Sequence, residues 1–228
     1  GRPVMVGAED FTVLGGSIGA GSTAKRYRIA ELAELDRIPL VMLLEGAGHR
    51  PPLPGEPRPA RAPTDLIQQA RLSGRVPVVT GVMGASAGHG ALIVPMSDFS
   101  LMTADACVFT AGPPVVLASL GEDVTKEELG GPEVAVASGL VHNVVADDGA
   151  LLDDIRTYLG FFPSSAWSHP PRSEGDDTGP RPVPKSSTWC RRTTRRPTTC
   201  AGSSEPSWTG AGVSRSSPTS AGPCCACS

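Results

Sequence analysis

Beyond Phe162 this chain contains no Leu, Ile, Phe, Tyr or Met, whereas residues 1–163 are rich in Val, Leu, Ile and Ala. A segment so poor in apolar side chains cannot bury enough surface to offset the entropy lost on ordering it. The break predicts a folded domain over 1–163, a linker over 164–184 and a disordered tail over 185–228. Five of the six cysteines (Cys190, Cys200, Cys224, Cys225 and Cys227) fall in that tail, among Ser, Thr, Pro and Arg. Cys224-Cys225-Ala226-Cys227 is too tight for the Cys-x-x-Cys pairs of a zinc knuckle, and no His stands near it. These cysteines read as incidental, and no metal site is expected.

A length of 228 residues allows one domain with an appendage. The net charge of −3 gives no basic excess to suggest nucleic acid as partner. No apolar run reaches the roughly 18 residues needed to span a bilayer, and no signal peptide is visible. A cytoplasmic location is therefore expected. The chain opens on Gly1 rather than Met, so its true start is expected to lie upstream.

Within the apolar part, breakers separate strand-like from helix-like runs. Asp10 to Leu14 reads as a short strand, ended by Gly15-Gly16-Ser17. Ser22 or Thr23 is a candidate cap for a helix running to about Asp36, with Ile29, Leu32, Ala33 and Leu35 on its buried face. Leu40 to Leu44 and Val76 to Val82 are continuous apolar runs of the kind that suits strands covered on both faces. Further strands are expected at Phe99 to Thr103, Cys107 to Phe109 and Val141 to Val145. Helices are expected at Asp65 to Ser73, Glu122 to Leu129 and Gly149 to Leu159. Strand, loop and helix alternate, so the class is α/β with parallel strands.

Both long apolar strands end in small-residue turns, Glu45-Gly46-Ala47-Gly48-His49-Arg50 and Gly84-Ala85-Ser86-Ala87-Gly88-His89-Gly90. In open α/β sheets ligands bind at that edge. Glycine lets backbone approach a ligand closely, and a helix starting at Gly88 would present unpaired N–H groups to negative charge. Such donors suit the oxyanion of an enolate or a tetrahedral intermediate. The competing explanation is that the glycines only allow tight strand-to-helix packing. Gly84 to Gly88 also fits the Gly-x-Ser-x-Gly elbow of serine hydrolases, with Ser86 as nucleophile and His142 or His169 as base. That pattern requires a helix directly after the serine, where Gly88-His89-Gly90 intervenes.

Gly1-Arg2-Pro3-Val4, Asp10-Phe11-Thr12-Val13, Gly15-Gly16-Ser17, Phe109-Thr110-Ala111-Gly112-Pro113 and above all Gly121 to Gly131 resemble the carboxyltransferase core of the beta subunits of propionyl-CoA and acetyl-CoA carboxylases. The motifs run in order over about 160 residues. The resemblance implies a crotonase-like spiral of β-β-α units. It implies carboxyl transfer from carboxybiotin to the α-carbon of an acyl-CoA. The family's Ala-Gly-Gly turn falls on Ala87-Gly88-His89, which makes the amides of Gly88 and His89 the implied oxyanion hole. His stands where the family has Gly, which adds bulk beside the thioester. The CoA-lining loop falls on Gly46, Ala47, Gly48 and Arg50; with Ala87 and Gly112 these are the implied acyl-CoA contacts. Arg50 could pair with a CoA phosphate.

By the same resemblance, biotin's own nitrogen takes the α-proton. Biotin and the ATP-dependent step would come from a biotin carboxylase/biotin carrier (alpha) subunit. Lys25, Lys126 and Lys185 are the only lysines and none has a Met-Lys-Met setting, and there is no Walker loop. The family pairs this domain with a second crotonase-like domain and assembles as a homo-oligomer. The sequence therefore predicts an enzyme half that is inactive alone. A non-catalytic CoA-binding remnant differs from it only in activity.

After Pro184 the likeness to the family's linker stops. Read one base earlier with GC-rich codons, Thr198 to Ser204 becomes YDMRRVI, Ser187 to Arg191 becomes LDLVP-like, and Thr219 to Ser228 becomes something like DFGRAVLCVL. Three such family-like stretches in one register and in family order predict a frameshift near Pro184.

Overall fold

Two apolar runs, each bounded by breakers, form the centre of a parallel sheet. The computed structural model describes residues 1–50 and 65–171. The Pro-rich stretch 51–63, most of the linker and the tail lie outside the described residues. The described elements are, in order, β1 (Met5–Ala8), α1 (Ala20–Asp36), β2 (Leu40–Gly46), α2 (Asp65–Ala70), β3 (Val78–Ala87), β4 (Phe99–Thr103), β5 (Cys107–Phe109), α3 (Pro113–Leu120), α4 (Lys126–Gly130), α5 (Pro132–Ala137), β6 (Asn143–Val145) and α6 (Asp148–Gly160). Short 3-10 helices occupy Leu14–Gly16 and Ala91–Met96. The strands pair in the order β1-β2-β3-β4-β6, and every pairing is parallel. β5 lies off this path, beside the last residues of β3, with Ser86 opposite Val108. Long β3 thus serves two neighbours in turn.

Alternation along the strands separates two apolar clusters. Leu40, Met42 and Leu44 of β2 join Ala30 and Ala33 of α1, together with Ile93 and Val94. Val41 points the other way and joins Val79, Phe99 and Leu101 against Leu151, Ile155 and Leu159 of α6. Helices therefore cover both faces, which explains why β2 and β3 read as unbroken apolar runs. Each fully buried Leu or Ile contributes about 1.5–3 kcal/mol by leaving water.

Several elements differ from the sequence expectation, each for a local reason. Asp10 to Leu14 is a turn, not a strand. The Asp10 carboxylate accepts from the Thr12 N–H at 2.9 Å and from the Thr12 hydroxyl at 2.6 Å, and such an Asx turn competes with pairing. Leu14, Gly15 and Gly16 then run through positive φ. The first strand is instead Met5–Ala8. Helix α1 starts at Ala20, with Gly19 as its N-cap and no side-chain cap from Ser22 or Thr23. Its buried positions are Arg26, Ala30 and Ala33, while Leu35 is 65% exposed. The helix expected at Glu122 to Leu129 begins only at Lys126, where Thr125 and Glu128 form a capping box. Helix α3 before it had not been expected, although Pro113 opens it and Gly121 closes it in the left-handed conformation. The ordered packing also passes the expected boundary at residue 163. Ser165 is buried, the Ala166 N–H donates to the Arg75 carbonyl at 2.8 Å, and the Arg37 guanidinium lies 4.6 Å from the Trp167 ring centre.

Candidate functional site

Three backbone turns meet at the carboxyl ends of β2 and β3. The Ala47 N–H donates to the Gly15 carbonyl at 2.9 Å, and the Ile18 N–H to the Gly48 carbonyl at 2.7 Å. Gly48 has φ +84°, and a Cβ there would lie 2.8 Å from the Ala87 carbonyl oxygen and 3.3 Å from the Gly88 Cα. No L side chain fits at Gly48 without moving the neighbouring turn. Gly46, Ala47, Gly48, Ala87, Gly88 and His89 are thus brought together, and much of the glycine content there serves contact of backbone with backbone. Gly112 stands apart as the N-cap of α3, beyond the end of β5. Arg50 folds back on the first turn, its Nε donating to the Ser17 hydroxyl at 3.1 Å.

The oxyanion reading requires correction at Gly88. Its N–H is not available to a ligand, because it donates to the Phe109 carbonyl at 2.9 Å and so continues the β3–β5 ladder. No helix starts there either: residues 88–90 are a turn, and the 3-10 helix begins at Ala91. The next amides, His89 N–H and Gly90 N–H, have no acceptor among the described residues. The unengaged N–H groups of this turn thus lie one and two residues beyond Gly88.

Ser86 is no nucleophile. It lies within β3 rather than on an elbow, is fully buried, and its hydroxyl has no partner among the described residues. The proposed base is also elsewhere: His142 Nδ1 lies 2.9 Å from the Ser100 hydroxyl. His169 is exposed, beyond α6. Replacing Ser86 by Ala should leave stability unchanged or raise it by about 1 kcal/mol, since a buried hydroxyl without a partner is a liability. Chemical denaturation checks this, and a large loss would show that the hydroxyl has a role.

The strongest electrostatic feature was missed by sequence reasoning. Arg26, its side chain 6% exposed, donates through Nη1 to Glu9 Oε1 at 2.6 Å and through Nε to Asp65 Oδ2 at 2.7 Å. The other Asp65 oxygen lies 2.7 Å from His89 Nε2. Glu9 Oε2 accepts from the Glu45 N–H at 3.0 Å. The chain Glu9–Arg26–Asp65–His89 thus ends on the glycine turn. Burial pushes the Glu9 carboxyl up, only partly offset by Arg26 and the Glu45 amide. Burial also acts to raise Asp65, but the hydrogen bonds from His89 and Arg26 outweigh it and hold Asp65 at about 2.

That low value has a consequence for acid stability. A carboxylate depressed in the folded state adds stability above its unfolded value, and this is lost as pH falls through the folded one. The window for Asp65 lies between 3.8 and about 2. Asp65 should contribute about 2 kcal/mol above this window. In Asp65→Asn the corresponding decline between pH 4 and 2 should be absent, as read by denaturant midpoints across pH.

A cleft of about 310 Å³ opens between β1, α1 and the first turn, with Glu9, Asp10, Ser17, Lys25, Arg26 and Arg50 among its lining residues. Lys25 and Arg50 are the two cations in it without a carboxylate partner among the described residues. The volume lies at the lower end of the range for small-molecule sites. No described helix is long and apolar enough to cross a membrane.

Fold and turns together define an α/β chain with a parallel sheet whose carboxyl-end site is built mainly from backbone. Residues 1–199 match the model of the carboxyl transferase domain. The chain is 35% identical over 166 residues to the methylmalonyl-CoA carboxyltransferase 12S subunit of Propionibacterium freudenreichii subsp. shermanii, covering 72% of this chain and 32% of that one. It is 32% identical over 187 residues to the mitochondrial propionyl-CoA carboxylase beta chain of Homo sapiens, covering 81% and 34%. The crystal structure of transcarboxylase 12S with hydrolysed methylmalonyl-coenzyme A superposes with a TM-score of 0.67 at 32% identity, over 77% of this chain and 36% of that chain. The beta subunit of geranyl-CoA carboxylase from P. aeruginosa gives 0.59 at 27% identity, over 74% and 32%. This chain belongs to the carboxyl transferase family and has the crotonase-like fold of its carboxyltransferases. It spans about a third of the length of the relatives it matches.

Proposed function

We propose that this chain is the acyl-CoA-binding half of a biotin-dependent carboxyltransferase, acting in the cytoplasm. The supporting observation is the pair of unengaged amides, His89 N–H and Gly90 N–H, on a turn packed against Gly48 at the carboxyl edge of the sheet. In this reading the thioester oxygen of an acyl-CoA sits at those amides. Negative charge that develops on it during enolate formation is met by donors already in place, which need no reorganisation. Gly88 shapes the turn, and Gly46, Ala47, Gly48 and Ala87 line the approach. Arg50, with Lys25 in the same cleft, meets CoA phosphate. The carboxyl group is supplied by biotin, carried on an alpha subunit; no residue of this chain is assigned to hold it. In this reading the site is completed by a second domain in a homo-oligomer, since the residues present span about a third of the relatives' length.

Calorimetry with propionyl-CoA and a carboxyl-transfer assay with carboxybiotin as donor test this on the full chain. Binding without formation of methylmalonyl-CoA is the expected result. Absence of binding contradicts the acyl-CoA reading, and product formed by the chain alone contradicts the half-site. For the tail, an unshifted reading frame across the codons for Pro184 to Ser187 would refute the frameshift.

A further inference from the structure

The residue that departs from the family's glycine turn is also the residue at the end of the buried charge network. His89 takes the position that the resemblance assigns to Gly, and its ring is held rather than loose. Asp65 is fully buried and spends both oxygens, Oδ1 on His89 Nε2 and Oδ2 on Arg26 Nε, each at 2.7 Å. Arg26 is anchored from its other side by Glu9. An ionised carboxylate can only accept, so Asp65 fixes Nε2 as the protonated ring nitrogen. In the neutral ring the lone pair is then on Nδ1, which has no partner among the described residues. The side chain is 18% exposed, so the ring can be reached from outside the packed turns. Among the described residues the ring beside it is that of His49, edge-on at 5.5 Å. A carboxylate that orients an imidazole through one nitrogen and leaves the other unengaged is the arrangement of a general base.

We propose that His89, oriented by Asp65, is an acid–base residue that removes and returns the α-proton of the bound acyl-CoA, giving this chain an α-proton exchange activity independent of biotin. The inference rests on the acyl-CoA reading above and adds to it a base of the chain's own. Nδ1 takes the α-proton. The C–H electron pair becomes the enolate double bond, and the charge passes to the thioester oxygen at the His89 and Gly90 amides. The imidazolium is balanced by the Asp65 carboxylate. The reverse step returns a proton, or a deuteron acquired from heavy water through the exposed ring. A thioester oxygen and its α-hydrogen are only a few bonds apart, as are the amide and Nδ1 of one histidine. No oxidant, metal or second substrate is needed. His89 is the catalytic residue here; Asp65 and Arg26 are positioning residues.

The test is deuterium uptake into the acetyl group of acetyl-CoA incubated with the full chain in heavy water, followed by mass spectrometry, with calorimetry of acetyl-CoA binding alongside. Wild type should exchange above buffer. His89→Gln should lose roughly a hundredfold, the usual weight of a positioned base, with an unchanged circular dichroism spectrum and melting temperature. His89→Gly should lose as much and be restored by added imidazole, which a structural role would not produce. Asp65→Asn should lower exchange, and imidazole should not restore it. Binding by wild type without exchange, or exchange by His89→Gln equal to wild type, overturns the base and leaves the acyl-CoA reading intact. Neither binding nor exchange overturns both.

Discussion

Arg26→Met should lower stability by about 3–5 kcal/mol, the range for stranding a buried charge. This is a large share of the roughly 5–15 kcal/mol that holds a domain together. Arg26 stands between Glu9 and Asp65, whose side chains are 10% and 0% exposed. Without the guanidinium, two carboxylates are left buried, Asp65 with only its hydrogen bond to His89 and Glu9 with only that from the Glu45 amide. Both would then favour protonation, so the loss should be greatest near neutral pH and shrink in acid. A carboxyl raised in the folded state stabilises it at low pH, and that help disappears as pH rises through the raised value. Denaturant midpoints at pH 4 and pH 7 test this. A triple replacement that also converts Glu9 and Asp65 to apolar residues of similar size should recover much of the loss, because the penalty lies in unpaired charge. If Arg26→Met alone costs less than about 1 kcal/mol, within reach of an exposed pair, the network is not dry.

Gly48→Val should both destabilise the fold and abolish acyl-CoA binding. A β-branched residue is strained at φ +84°, and its Cβ would enter the space 2.8 Å from the Ala87 carbonyl oxygen. Strain and displacement together should cost about 3 kcal/mol or more. The displaced segment carries His89, so the amides there lose their alignment even in molecules that stay folded. Binding measured below the melting temperature separates the two effects. Acyl-CoA affinity equal to wild type in a folded Gly48→Val chain would remove the turn from the site. Gly74 offers the contrasting control. It too has positive φ, but a Cβ there meets nothing within 4 Å, so Gly74→Ala brings backbone strain alone.

The sheet was legible because burial on both faces writes itself as uninterrupted apolar runs. Leu40 to Leu44, Phe99 to Thr103 and Cys107 to Phe109 fall where the runs place them. β3 was read too short, ending at Val82 instead of Ala87, because Gly84, Ala85 and Ser86 look like a loop. They are small for another reason: the Glu45 side chain lies across Gly84, and β5 pairs alongside Ser86. Helix α1 misled differently. Of the expected stripe Ala33 is buried and Ile29 packs against the core, but Leu35 is exposed, and the inward face also carries Arg26, which is buried by ion pairing and so invisible to apolar spacing. Glu9, Arg26, Asp65 and His89 are 17, 39 and 24 residues apart in succession, and no local pattern connects them. The glycine turn was found at the right place, but pairing with β5 takes the Gly88 amide, and nothing in the turn's own sequence announces that. The family match extends to residue 199, past Pro184, where the likeness was expected to stop.

Amide chemical shifts of the isotopically labelled chain during a titration with propionyl-CoA give the most direct test of where the thioester sits. The His89 and Gly90 N–H signals should move most, joined by the Arg50 side chain, while the Gly88 N–H, already bonded to Phe109, should move little. A titration that leaves His89 and Gly90 in place, or shifts signals only on the far side of the sheet beside α6, would contradict the assignment.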